Sequence, residues 1–338
     1  MASERSPLGS PDNCLVVSYH YVHDASVTGF PQLNSLHPAA FDAQLSALER
    51  DKTIVDYHAF LKAVDGERRL DAAAALLTFD DGLIDHYRTV FPVLEARGLR
   101  GIFFISPTSN SPAPRVLNVQ KVQLLLALLG ETLLSDIEAA LALPGDGLGG
   151  QAPHSSLYRY DSAADRRVKQ LLNYDLPFEI ADPLLAELFR IHVGDEADVA
   201  REWYLKPAMI REMARAGMIF GYHTRDHRVL SRLQVVEQRE QLAGGVEWIR
   251  ALTGQSSVPF CYPHGHAHAY TRDTIGVVRE TGYSLAFTAI RGVCQPSSGA
   301  RFEVPRFDTR DVPSAGVETA AARASAATGA VPDSRIRA

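Results

Sequence analysis

Short apolar runs and longer patterns of helical period alternate along most of this chain. The runs are Leu15 to Ser18, residues 53 to 55, Ala74 to Phe79, Gly101 to Ile105, Met218 to Tyr222, Val258 to Tyr262 and Leu285 to Thr288. Each has strand length and reads as a buried strand. Between them, Pro38 to Arg50 and residues 85–97, 207–216, 230–252 and 271–281 space their apolar residues as helices do. Further helical patterns, Val119 to Leu129, Leu133 to Leu143, Ala163 to Asn173 and Pro183 to His192, fill the middle of the chain, with a Gly/Pro-rich break from Pro144 to Pro153. Strands alternating with helices predict a parallel sheet, here curled into a barrel. Chemistry in such barrels gathers at the C-terminal ends of the strands. His20, Asp80, Asp81, His223 and Tyr262 all fall at such ends.

Asp80 and Asp81 stand out among them. Two adjacent carboxylates at a strand end repel each other, and burying them is costly unless a cation or a proton compensates. A metal ion resolves the conflict, one carboxylate binding it while the other stays free as a base. The plainer alternative is a helix N-cap, which favours Asp. His223 and His227, in Gly-Tyr-His-Thr-Arg-Asp-His after another strand, favour the metal. Two imidazoles and one carboxylate leave coordination positions open, as a catalytic site requires.

Thr78-Phe79-Asp80-Asp81-Gly82, then His223 to His227, then Cys261-Tyr262-Pro263-His264-Gly265 resemble, in this order, the motifs of the polysaccharide deacetylase family, also called the NodB-homology family or carbohydrate esterase family 4. The resemblance covers roughly residues 13 to 310. It implies an α/β fold, a distorted (β/α) barrel, and metal-dependent hydrolysis of N-acetyl or O-acetyl groups on sugars, often with zinc. It also implies roles: Asp81, His223 and His227 bind the metal, and Asp80 takes a proton from the attacking water. Tyr262, Pro263 and His264 would wall the substrate pocket, with the Tyr262 amide donating to the oxyanion. The clustered His264, His266 and His268 invite a second metal, but a pocket lining fits their Gly-containing loop better.

The sequence departs from the family in three places. No Leu-x-His motif supplies the acid near the C-terminus. Tyr19-His20 after the first strand resembles instead the circularly permuted branch, where an N-terminal His protonates the leaving group, so His20 is the candidate acid and His23 a weaker one. No Arg precedes Cys261 to orient Asp80; Arg306 and Arg225 are the candidates to replace it, and Asp308 could fix the tautomer of the acid. Finally, about 140 residues separate Asp81 from His223, far more than the family leads one to expect. Residues 107–205 therefore read as a helical insertion into a barrel of residues 13–313. It would emerge on the catalytic face as a lid, or else only extend the core or form a dimer interface.

Composition sets outer limits. The 338 residues, 46% of them hydrophobic, suffice for one large domain with a substantial core. A net charge of −6 without a basic stripe argues against nucleic acid. Cys14, Cys261 and Cys294 are dispersed and odd in number, so buried thiols are expected rather than a disulfide framework. Residues 1–12 lack an apolar signal core and read as a flexible start; Ser314 to Ala338 read as a flexible tail. With no membrane span, the expected compartment is the cytoplasm, where the substrate would be an acetylated sugar or sugar precursor. An amidohydrolase acting on a non-sugar amide, cyclic imide or formamide is the alternative enzyme. A non-catalytic glycan-binding or scaffold protein is the third reading, disfavoured because both Asp and both His are present. Oligomeric state is not legible.

Overall fold

Among the described residues, eight short strands, six of them made of buried residues, form one parallel sheet: β1 (Cys14–Tyr19), β2 (Thr53–Ile54), β3 (Ala74–Phe79), β4 (Ile102–Ile105), β5 (Ile219–Tyr222), β6 (Phe260–Cys261), β7 (Ala286–Phe287) and β8 (Phe307–Asp308). The computed structural model describes residues 13–70, 73–141, 160–296, 299 and 301–312. The strand order is β7-β6-β5-β4-β3-β1-β8, and β2 pairs with the start of β3. β1 and β3 run in register from Cys14↔Ala74 to Tyr19↔Phe79. The chain around Val304 hydrogen-bonds to β7 through Thr288 and Ala286, and three residues later β8 pairs with β1 at Val17 and Ser18. One short strip thus bridges the two ends of the curled sheet, and the expected distorted barrel results.

Side chains alternate between the faces of a strand, and this period sorts the core into two layers. Leu15, Val17, Tyr19, Ala75, Leu77, Phe79, Phe103 and Ile105 pack outward. They meet an outer ring of helices: α1 (Pro38–Asp51), then, after α2 (Tyr57–Val64), α3 (Phe91–Ala96). Cys14, Val16, Ala74, Leu76, Ile102, Phe104, Cys261 and Phe287 face the other way, into the barrel, where Tyr57 and Phe60 of α2 join them. Asp80 continues the inward series of Ala74, Leu76 and Thr78, so strand parity alone aims it into the barrel.

The insertion folds as α4 (Asn118–Leu129), α5 (Thr132–Ala140), α6 (Ala163–Gln170), α7 (Phe178–His192) and α8 (Glu196–Trp203). These helices carry their own core of Val122, Leu125, Leu133, Ile137, Val168, Leu171, Leu185 and Leu188. A further cluster, with Tyr21, Leu83, Leu117, Leu124, Phe189 and Tyr204, joins them to the barrel. The outer ring is completed by α9 (Pro207–Arg215), α10 (Val235–Leu242), α11 (Gly245–Thr253) and α12 (Arg272–Glu280).

Three expected helices differ in detail. Residues 230–252 are not one helix: Gly244, at φ 70°, separates α10 from α11. Residues 85–97 begin as a π-turn, His86–Val90, before α3. α7 starts at Phe178 and holds Pro183 inside it. α2, α8 and β8 went unanticipated. The N-terminal stretch 1–12, the Pro144–Pro153 break and the tail from Ser314 lie outside the described residues. All three cysteines are buried free thiols. Among the described residues, no helix is long and apolar enough to cross a membrane.

Candidate active site

The two adjacent aspartates part ways. Asp80, still in strand geometry, points into the barrel, where Arg306 grips it with two parallel hydrogen bonds, Nη1 to Oδ1 at 2.8 Å and Nη2 to Oδ2 at 2.7 Å. Arg306 is itself buried and spends its remaining donors on the Thr288 carbonyl, Thr78 Oγ1 and Cys261 Sγ. Burial opposes the charge on Asp80, but the Arg306 charge and its hydrogen bonds outweigh burial and hold the carboxyl at about 2. Asp80 is therefore an ionised carboxylate in a desolvated place. Of the two arginines the sequence offers, Arg306 fills the role; Arg225 lies at the surface beside Asp226.

Asp81 turns the other way because its backbone is left-handed, φ 73°. Gly82 follows at φ 60°, and a Cβ there would lie 2.4 Å from Asn110 Oδ1, so only glycine completes the turn. Among the described residues, Thr224, His227 and His264, at φ 61°, 55° and 59°, are the other non-glycine residues with positive φ. That all four sit at the two aspartates' end of the barrel is the pattern of strain held at a functional site.

The turn delivers Asp81 Oδ1 to 3.5 Å from His223 Nε2 and 3.3 Å from His227 Nε2. All three residues are buried, and Oδ1 has no hydrogen-bond partner among the described residues. Donors bound at about 2.0–2.1 Å to one tetrahedral cation stand roughly 3.3 Å apart. His223 Nδ1 lies 2.8 Å from the Cys261 carbonyl; donating its proton there leaves Nε2 with a free lone pair. An orphaned carboxylate oxygen facing two imidazole nitrogens fits a divalent metal with open positions. Asp81, His223 and His227, the three ligands expected from sequence, are thus brought together.

His20 extends from the end of β1 with Nε2 3.7 Å from Asp80 Oδ2, its side chain 40% exposed. Its loop is tied down from below: His86 Nε2 is 3.0 Å from the His20 carbonyl, and Asp85 accepts from the Val22 amide and pairs with His23. His23 accordingly has a structural partner. Asp85 and His86 were missed in the sequence, although they follow Asp80-Asp81-Gly82 directly. Asp308 holds Arg310 rather than His20.

A cavity of about 630 Å³ opens over these groups. His20, Asp80, Asp81, His223, His227, Tyr262, His264 and Arg306 form its floor and near wall. Val119, Val122, Gln123, Lys169 and Asn173, all from the insertion, form the far wall. Two expectations for the Tyr262 segment need correction. The Tyr262 amide is not available to an oxyanion, because it donates to the Phe287 carbonyl at 3.1 Å and so continues the β6–β7 ladder. Pro263 is buried behind the wall rather than lining it, its carbonyl closing a tight turn with the Gly265 amide.

Comparisons with known proteins agree with the fold. The family model described as polysaccharide deacetylase matches residues 188–286, which hold His223, His227 and Tyr262 and leave the aspartates outside. No curated protein matches the sequence. Among solved structures, IcaB from Ammonifex degensii shares 18% identity, with a TM-score of 0.55 and coverage of 90% of this chain and 95% of that one. The BpsB deacetylase domain from Bordetella bronchiseptica gives 18%, 0.53, 90% and 98% in the same order. The deacetylase PplD from Streptococcus pyogenes, solved with acetate, gives 15%, 0.53, 88% and 93%. At these identities the likeness is one of fold.

Proposed function

We propose that this polysaccharide deacetylase-family chain is a metal-dependent hydrolase that removes the acetyl group from an N-acetylated sugar or sugar-containing precursor, with zinc as its metal. One observation carries the reading: an ionised Asp80 stands beside, and outside, the cluster of Asp81, His223 and His227 on the floor of an open cavity. A divalent cation held by those three residues would polarise the acetamide carbonyl and make water a nucleophile at neutral pH. Asp80, oriented by Arg306, accepts the proton of the attacking water. His20, across the cavity floor, hands a proton to the departing amine. The walls carry polar groups suited to sugar hydroxyls, and the cavity has the size of a small-ligand site rather than a flat surface. The insertion, which builds the far wall, acts as a lid over the bound sugar. The long insertion and the lack of an Arg before Cys261 keep a non-sugar amidase as the alternative; Arg306 supplies the partner that Asp80 would otherwise lack.

The test is acetate release from a panel of N-acetylated sugars, nucleotide-sugars and oligosaccharides, using protein stripped with chelator and reloaded with zinc. Metal-dependent release supports the reading and identifies the substrate class. A protein that takes up one metal and releases no acetate from any of them overturns it. His20→Ala should lower kcat by about 10²-fold or more while metal content stays unchanged. Unaltered kinetics in that variant would move the acid to another group.

A further inference from the structure

One buried polar chain runs from the insertion to the metal cluster. The Leu117 amide, at the start of α4, donates to the Tyr204 hydroxyl at 3.0 Å. That hydroxyl donates to Gln120 Oε1 at 3.1 Å. Gln120 Nε2 donates to Asp81 Oδ2 at 2.7 Å. Gln120 and Tyr204 are 0% and 1% exposed, so no water competes for these bonds. The direction is fixed at every link. Gln120 turns its NH2 to the Asp81 carboxylate, so its Oε1 faces Tyr204, and the Tyr204 hydroxyl, which receives the Leu117 N–H, donates its proton there. The amide of Gln120 cannot flip without setting its oxygen against a carboxylate. The chain therefore occupies Oδ2 and leaves Oδ1, the orphaned oxygen, for the imidazole cluster. Backbone pairing reinforces it: Leu205 N donates to the Gly82 carbonyl and Ile84 N to the Trp203 carbonyl, tying the end of the insertion to the turn that carries Asp81.

We propose that Gln120, held by Tyr204, is the residue that positions the metal ligand Asp81, so that the insertion is part of the metal centre as well as a wall of the cavity. This rests on the metal reading of Asp81, His223 and His227. Partners of a ligating carboxylate decide which oxygen it offers and with what angular freedom, and their removal commonly weakens metal binding by about 10–100-fold.

The experiment measures zinc affinity by chelator competition and the absorption spectrum of the cobalt(II)-substituted protein. Wild type, Asp81→Ala, Gln120→Leu and Tyr204→Phe are compared, with folding checked by circular dichroism. Wild type should bind one equivalent and Asp81→Ala none. Gln120→Leu should bind about 10–100-fold more weakly, with an altered cobalt spectrum. Tyr204→Phe, which keeps the packed ring and removes only the hydroxyl, should show a smaller loss in the same direction and keeps the test open if Gln120→Leu does not fold. Wild-type affinity and spectrum in both variants, beside a metal-free Asp81→Ala, would overturn the inference and leave the metal reading standing. A wild type that binds no metal would overturn both.

Discussion

Asp80→Asn is expected to lower kcat by about 10²–10⁴-fold, the range a positioned general base contributes, and to leave metal content near wild type. Asn has the shape of Asp but no lone pair basic enough to take a proton from water. The cluster is built through Asp81 Oδ1 and the Nε2 atoms of His223 and His227, so Asn at position 80 leaves all three proposed ligands in place. One of the two Arg306 hydrogen bonds would be replaced by a donor facing a donor, so some loss of thermal stability should accompany the loss of rate. Steady-state kinetics with metal analysis on the same preparation checks the prediction. Wild-type turnover with full metal would remove Asp80 from the base role.

The second large effect should come from Arg306→Leu. Here a buried carboxylate loses its counter-charge, and the Thr288 carbonyl and Thr78 hydroxyl lose a donor. Breaking one side of a buried ion pair typically costs about 3–5 kcal/mol, because the remaining charge stays desolvated. Activity should fall as well, by about 10²-fold, since Asp80 would lose the fork that fixes its angle. Arg306→Lys should recover part of the stability but little of the rate, because one ammonium cannot reproduce two parallel bonds. Asp80→Asn combined with Arg306→Leu should cost less than the two single changes added together. Chemical denaturation of the four proteins measures this coupling; strict additivity would mean that the pair is not a unit.

What the sequence revealed and what it hid follows from how far each contact reaches. Asp80, Asp81 and His223 were legible because each stands at the end of a buried strand, and His227 because it lies in the turn just after one, where composition and barrel geometry point to the same place. Arg306 was a candidate but could not be assigned. Its bond to Asp80 spans 226 positions, and its segment pairs through a two-residue strand too short to show any period. Gln120 was hidden for a different reason: it shares the first half of α4 with Asn118, Lys121 and Gln123, and only the fold reveals that it is the one buried facing Asp81. The break between α10 and α11 was readable, since Gly244-Gly245 marks it, but the apolar spacing on either side carried the helix through. The Tyr262 amide was misjudged because the end of a strand's apolar run is not the end of its hydrogen bonding. β6 spans only Phe260–Cys261, yet its ladder reaches one residue further.

The strip from Val304 to Asp308 has a consequence for synthesis. β1 opens the described residues, yet its partner β8 lies nearly 300 residues further along the chain, and Arg306 belongs to that later-made strip. On the ribosome, the strands carrying Asp80, Asp81, His223 and His227 emerge well before the residue that neutralises Asp80. Until then the barrel lacks its seam and Asp80 lacks the two-pronged arginine bond it is buried against. A nascent or truncated chain ending before Arg306 would thus contain the residues proposed as metal ligands and base without the arginine that orients Asp80, so activity is expected only once the strip around Arg306 has been made.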